Sequence, residues 1–186
     1  MKDKQLNEHN KSPVGFKNHS TPYRGITDSV VAMARLANIG QSHPKVRDYA
    51  TNIIREVYPK DYLSELAAIY YEVCRTQRYT RDPINHEFVQ HPVVAMETRA
   101  TDCDDQATLL KSLICSLASA CKSVGNDAQF MTVGFTKGAH PNNQFSHVFL
   151  RVYYAKLGQY LVLDPVAGPT TNEMISRVKV ARAYVE

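Results

Sequence analysis

The chain has 186 residues, 44% of them hydrophobic and 22% charged, with a formal net charge of +4. At roughly 100–200 residues per domain that is a single domain, large enough to bury a core without disulfide or metal staples. Collagen-like and fully disordered chains are excluded, and no apolar run approaches the roughly 18 residues of a membrane helix. The basic residues are scattered, so charge indicates no nucleic-acid partner.

The first residues, MKDKQLNEHNKS, contain no apolar core of the kind a secretory signal needs. The four cysteines, Cys74, Cys103, Cys115 and Cys121, form no Cys-x-x-Cys pair. They read as reduced thiols of a reducing compartment. Residues 1–22 are polar and without periodicity, which predicts a flexible arm ahead of a domain over residues 23–186.

A first helix is predicted over residues 28–39, capped by Thr27 or Asp28 and stopped by Gly40. A second is predicted over 44–58. There Val46, Tyr49, Ala50, Ile53, Ile54 and Val57 form a one-face stripe, Pro44 suits the first turn and Pro59 ends the helix. A third is predicted over 62–76, with Leu63, Leu66, Ala67, Tyr70, Val73 and Cys74 inward. From 77 to 101 the pattern breaks, and Asp82-Pro83 and His91-Pro92 mark turns and extended chain. A fourth helix starts near Cys103 and is predicted to reach Gly125, with Ala107, Leu110, Leu113, Ile114, Leu117, Ala118 and Cys121 inward.

The period then changes. Residues 129–135, 146–154 and 159–164 read as strands, and residues 138–144 as a loop near the site. The short connection at 155–158 predicts an antiparallel hairpin. After Asp164 a short helix is predicted towards the C-terminus. Helices followed by an antiparallel sheet define an α+β fold.

Three residues in this frame suit nucleophilic chemistry. Cys103 stands at the start of a helix, where free backbone N–H groups and the helix dipole favour a thiolate and can hold an oxyanion. His147 lies early in one strand and Asp164 at the end of the next. If Tyr154 faces Gln159, paired residue numbers sum to 313. Asp164 then faces Phe149, on the same sheet face as His147 and about 7–8 Å from it along the diagonal. A three-residue loop would change the sum to 314 and place the two on opposite faces. A carboxylate beside the imidazole fixes its tautomer, and the imidazole can then take and return the thiol proton.

Asp102, Asp104 and Asp105 surround the cysteine. They match neither an EF-hand loop nor a His-x-x-x-His zinc pattern, so no metal and no cofactor is expected. Acidic residues suit the first turn of a helix, where they cap N–H groups and offset the dipole. Their charge also raises the pKa of a neighbouring thiol.

Thr101-Asp102-Cys103-Asp104-Asp105-Gln106-Ala107, followed by TLLKSL, resembles the nucleophile motif of the transglutaminase-like superfamily. Phe145-Ser146-His147-Val148-Phe149 and Val162-Leu163-Asp164-Pro165 are similar to that family's His and Asp motifs, in the same order. Tyr79-Thr80-Arg81-Asp82-Pro83 and Glu97-Thr98-Arg99-Ala100 resemble the version carried by tailed phages and prophages. The resemblance spans roughly residues 26–165. It implies a papain-like core, with the helix bearing the nucleophile packed on a small antiparallel sheet, and a catalytic triad of Cys103, His147 and Asp164.

The implied activity is cysteine-dependent chemistry at amide bonds through a thioester. The acceptor is water in a peptidase or amidase and an amine in a transglutaminase. The implied partner is a protein or peptide substrate, with virion or host proteins for a phage version, either in the cytoplasm of a host cell or on the virion. The alternative is a non-catalytic virion or assembly protein that keeps the fold for binding. Thr101 stands where the family usually has glycine. Tyr79 and Gln77 are candidates for a second oxyanion donor.

Overall fold

The computed structural model describes residues 14–17, 22–83, 86–117, 128–135, 147–154, 158–168 and 178–184. In chain order the described elements are β1 (Val14–Lys17), α1 (Pro22–Gln41), α2 (Pro44–Ile53), α3 (Tyr62–Thr76), β2 (Arg78–Tyr79), β3 (His86–Val89), α4 (Pro92–Thr98), β4 (Ala100–Thr101), α5 (Cys103–Ser116), β5 (Ala128–Phe135), β6 (His147–Tyr154), β7 (Gln159–Leu163) and β8 (Val178–Tyr184). Within the stretch read as an arm, Val14–Lys17 pairs antiparallel with His86–Val89. Residues 1–13 lie outside the described residues.

Helix α1 starts earlier than its capping signals suggest and runs through Gly40 rather than stopping there. Gly40 serves packing. A Cβ at this position would lie 2.6 Å from Pro92 Cγ and 2.7 Å from Ser112 Oγ. The helix thus crosses α4 and α5 at a distance that only a residue without a side chain allows.

Helix α2 ends at Ile53, short of the predicted Tyr58. Ile54 leaves the helical region at φ −89°, ψ 1°. The chain then tightens into i→i−3 bonds, Arg55 N–H to Asn52 and Val57 N–H to Ile54. Helix α3 has the predicted bounds, capped by Asp61, which accepts from the Ser64 N–H at 3.3 Å. Its buried face is rotated from the expected one. Leu66, Ile69, Tyr70 and Val73 are buried, whereas Leu63 is 40% exposed. Cys74 is half-buried against the core.

His91-Pro92, read as extended chain, opens helix α4 instead. The His91 ring accepts the Val93 N–H at 3.2 Å through Nδ1, and Pro92 occupies the first turn. His43-Pro44 opens α2 in the same way, with Nδ1 of His43 accepting the Lys45 N–H at 3.2 Å.

Helix α5 is the centre of the molecule. Every residue from Asp104 to Ile114 is buried, because α1, α2, α3, α4 and β6 all pack on it. It ends at Ser116, with Leu117 as an extended C-cap, and not at Gly125. The remainder of that expectation, including Ala118 and Cys121, lies outside the described residues, as does the loop at 138–144.

The main sheet has the order β7-β6-β5-β8 with antiparallel neighbours throughout. Val148, Leu150, Val152 and Tyr154 alternate along β6 and are buried towards the helices. Val178–Tyr184, expected as part of a short helix, is a strand on β5. Its alternating Val-Lys-Val-Ala-Arg-Ala-Tyr text carries the period of a sheet edge. Among the described residues, no helix is long and apolar enough to cross a membrane.

Candidate active site

The hairpin register decides whether His147 and Asp164 can meet. Tyr154 pairs with Gln159 and Leu150 with Leu163, so paired numbers sum to 313. His147 Nε2 lies 2.7 Å from Asp164 Oδ2, and the two side chains are 8% and 5% exposed. With Nε2 engaged by the carboxylate, a proton exchanged with a nucleophile would pass through Nδ1, the other ring nitrogen. The His147 ring also packs on Phe149, its neighbour on the same face, at 6.3 Å between centroids.

Asp164 is held on all sides. Its Oδ1 accepts the N–H groups of Val166 and Ala167 at 3.2 and 3.3 Å. Its backbone carbonyl accepts from Gly168 N–H at 3.1 Å and from the Tyr70 hydroxyl at 3.0 Å. Nothing in the spacing of Tyr70 pointed to this contact. It joins residues 94 positions apart.

Cys103 is the first residue of α5, with Asp102 as its N-cap. The acidic residues around it act mainly on the backbone. Asp102 and Asp105 form a reciprocal capping box, each accepting the other's N–H at 3.4 Å. Asp104 Oδ1 accepts the Asp105 N–H at 2.9 Å. Asp105 also accepts the backbone and side-chain N–H groups of Gln90 at 2.6 and 2.8 Å, which ties the segment before α4 to the start of α5. Burial and the Asp102 charge push the Asp105 carboxyl up to about 8, while the Gln90 and Asp102 N–H bonds pull it down.

The ionisation of Cys103 departs from the simple helix-dipole expectation. Its pKa is raised well above the ordinary thiol value, first by burial and then by the charges of Asp104 and Asp102. Two backbone N–H groups act in the opposite direction, that of Val148 and its own. Val148 follows His147 directly, so the N–H that eases ionisation of the thiol belongs to the strand that carries the imidazole, and this strand packs on α5.

Thr101, where the resemblance implies glycine, adopts no positive φ. Among the described residues only Lys60 and Arg99 are non-glycine with positive φ. Thr101 lies in β4, parallel to β2, fully buried, and its hydroxyl donates to Gln77 Oε1 at 3.1 Å. The Gln77 amide is thereby committed to Thr101 and Thr76. Tyr79, opposite Thr101, is 47% exposed. Its phenol is raised first by burial and then by the charges of Cys103 and Asp102, and is lowered by a bond to Arg81. Of the two candidate oxyanion donors, Tyr79 is the more exposed.

No protein-family model and no curated protein matches the chain. Among solved structures it is similar to one described as a candidate cysteine protease from Cytophaga hutchinsonii, at 18% identity and a TM-score of 0.52 over 76% of this chain and 42% of that one. It is also similar to a candidate protease from Parabacteroides distasonis, at 11% identity and a TM-score of 0.48 over 74% of this chain and 27% of that one. The chain therefore spans less than half the length of either. The first likeness is one of fold: an α+β papain-like core in which the helix carrying Cys103 packs on a small antiparallel sheet.

Proposed function

We propose that the protein is a cysteine-dependent enzyme acting on amide bonds, with Cys103 as nucleophile, His147 as general base and acid, and Asp164 as the carboxylate that orients the imidazole. The observation that carries the reading is the His147–Asp164 bond of 2.7 Å on a strand packed against the helix that begins with Cys103. His147 Nδ1 takes the thiol proton as sulfur attacks the carbonyl carbon. The C–N bond then breaks, the amine leaves with that proton, and a thioester remains on Cys103. Water, deprotonated by the same imidazole, releases the acid. The Cys103 N–H and the Tyr79 phenol are suited to the oxyanion.

Burial and two carboxylates work against a resting thiolate, so in this mechanism the proton passes to the imidazole as sulfur attacks. The resemblance to phage and prophage relatives supports a protein or peptide substrate in a host cell or on a virion. The raised thiol pKa is the one observation that favours the second reading, a non-catalytic virion or assembly protein.

The test is a peptide library read by mass spectrometry, with and without a small primary amine. The expected result is cleavage that Cys103→Ser abolishes while the fold is retained. Amine-tagged products in place of acids would assign acyl transfer. Absence of any Cys103-dependent product would leave the binding reading.

A further inference from the structure

Asp164 follows Leu163, the last residue of β7 in register with β6, and among the described residues β7 is an edge strand. Among the described residues, no ladder pairing therefore reaches the backbone of the residue that holds His147. What fixes it is the turn over residues 164–168 and one side chain from the helical layer. Tyr70 on α3 is 7% exposed. Its hydroxyl lies 3.0 Å from the Asp164 carbonyl and 2.6 Å from the Gly168 carbonyl, so it spans the first and last residues of the turn. Inside the turn, Gly168 at φ 76° returns its N–H to the Asp164 carbonyl, and Oδ1 takes the Val166 and Ala167 N–H groups. The carboxylate, the turn and the hydroxyl therefore move as one unit. A buried hydroxyl without acceptors would be costly, and here both carbonyl acceptors belong to this turn, with the Cys74 side chain as a further neighbour.

We propose that Tyr70 is a positioning residue that ties the Asp164 turn to helix α3 and so sets the bond between Asp164 and His147. The proposal rests on the triad reading above for its catalytic meaning, but its geometry is testable without a substrate.

The experiment is NMR of the folded full chain with 15N-labelled histidine, following water exchange of the His147 Nε2–H proton. Tyr70→Phe removes one hydroxyl and keeps the ring. Exchange is expected to quicken roughly 5- to 10-fold, the scale of one lost hydrogen bond. Ile69→Val, a neighbouring core change on the same helix, should leave it unaltered. Gly168→Ala forces a strained φ at a site with open space around it and displaces the carbonyl that Tyr70 binds. It should quicken exchange in the same way, and the double variant should add little. Unchanged exchange in both single variants would overturn the proposal. Altered exchange in a protein with no Cys103-dependent turnover would keep the tether and remove the enzyme reading. Turnover with unaltered exchange would do the reverse.

Discussion

Asp164 gives one oxygen to His147 and the other to its own turn, and this division of labour explains why neither group can be judged from charge alone. The same holds for Cys103. A thiol at a helix N-terminus is usually eased towards the thiolate. Here burial is the largest influence and it opposes ionisation, and Asp104 and Asp102 add to it. Iodoacetamide should therefore modify Cys103 slowly at pH 7 and faster as pH rises beyond the ordinary thiol range. Asp102→Asn keeps an N-cap acceptor and removes one charge. It should shift the alkylation profile of Cys103 to lower pH with little change in stability, as read by cysteine-resolved mass spectrometry and urea unfolding. A profile indifferent to Asp102 would show that its charge does not reach the sulfur.

Elements are joined here by devices that are local in sequence but tertiary in purpose. Two His-Pro pairs open α2 and α4, each with an imidazole nitrogen standing in for the usual cap oxygen. The capping box of α5 doubles as a clasp, because Asp105 also holds Gln90. Gly40 lies inside α1, where alanine would ordinarily gain about 1 kcal/mol. In this helix the new methyl would meet Pro92 and Ser112. Gly40→Ala is expected to lose about 1–3 kcal/mol, the range for overpacking. Urea midpoints of the two proteins measure the sign directly.

At the scale of the whole molecule, stability should depend on pH through a histidine remote from the proposed chemistry. His91 is 1% exposed, and burial, then His43, depresses its pKa from 6.5 to about 4. The two rings meet edge to face at 5.9 Å. The fold favours neutral His91, so its contribution is fully present above about 6.5 and is lost as pH falls through about 4. On the order of 2–3 kcal/mol is at stake. Urea midpoints should fall from pH 7 to pH 4 more steeply for the natural chain than for His91→Asn, which keeps a capping group but cannot ionise in this range. Parallel curves would assign the acid loss to other groups.

What was legible in the amino-acid sequence concerned neighbours. The bounds of α3 follow from Asp61 and a helical stripe, although the buried face is turned towards Ile69. The hairpin of β6 and β7 follows from a short connection, and its register, one of two left open, puts Asp164 across from Phe149 and beside His147. Capping propensity, apolar period and loop length act over a few residues, so a sequence displays them. Only the tertiary structure decided that Gly40 is a packing contact, that α5 is enclosed on every side, and that β8 completes the sheet. It alone brings Tyr70 to Asp164 across 94 positions and adds desolvation of the Cys103 thiol to the effect of its acidic neighbours. Desolvation and close packing are imposed by residues distant along the chain, and no local pattern around a residue records which of them will arrive.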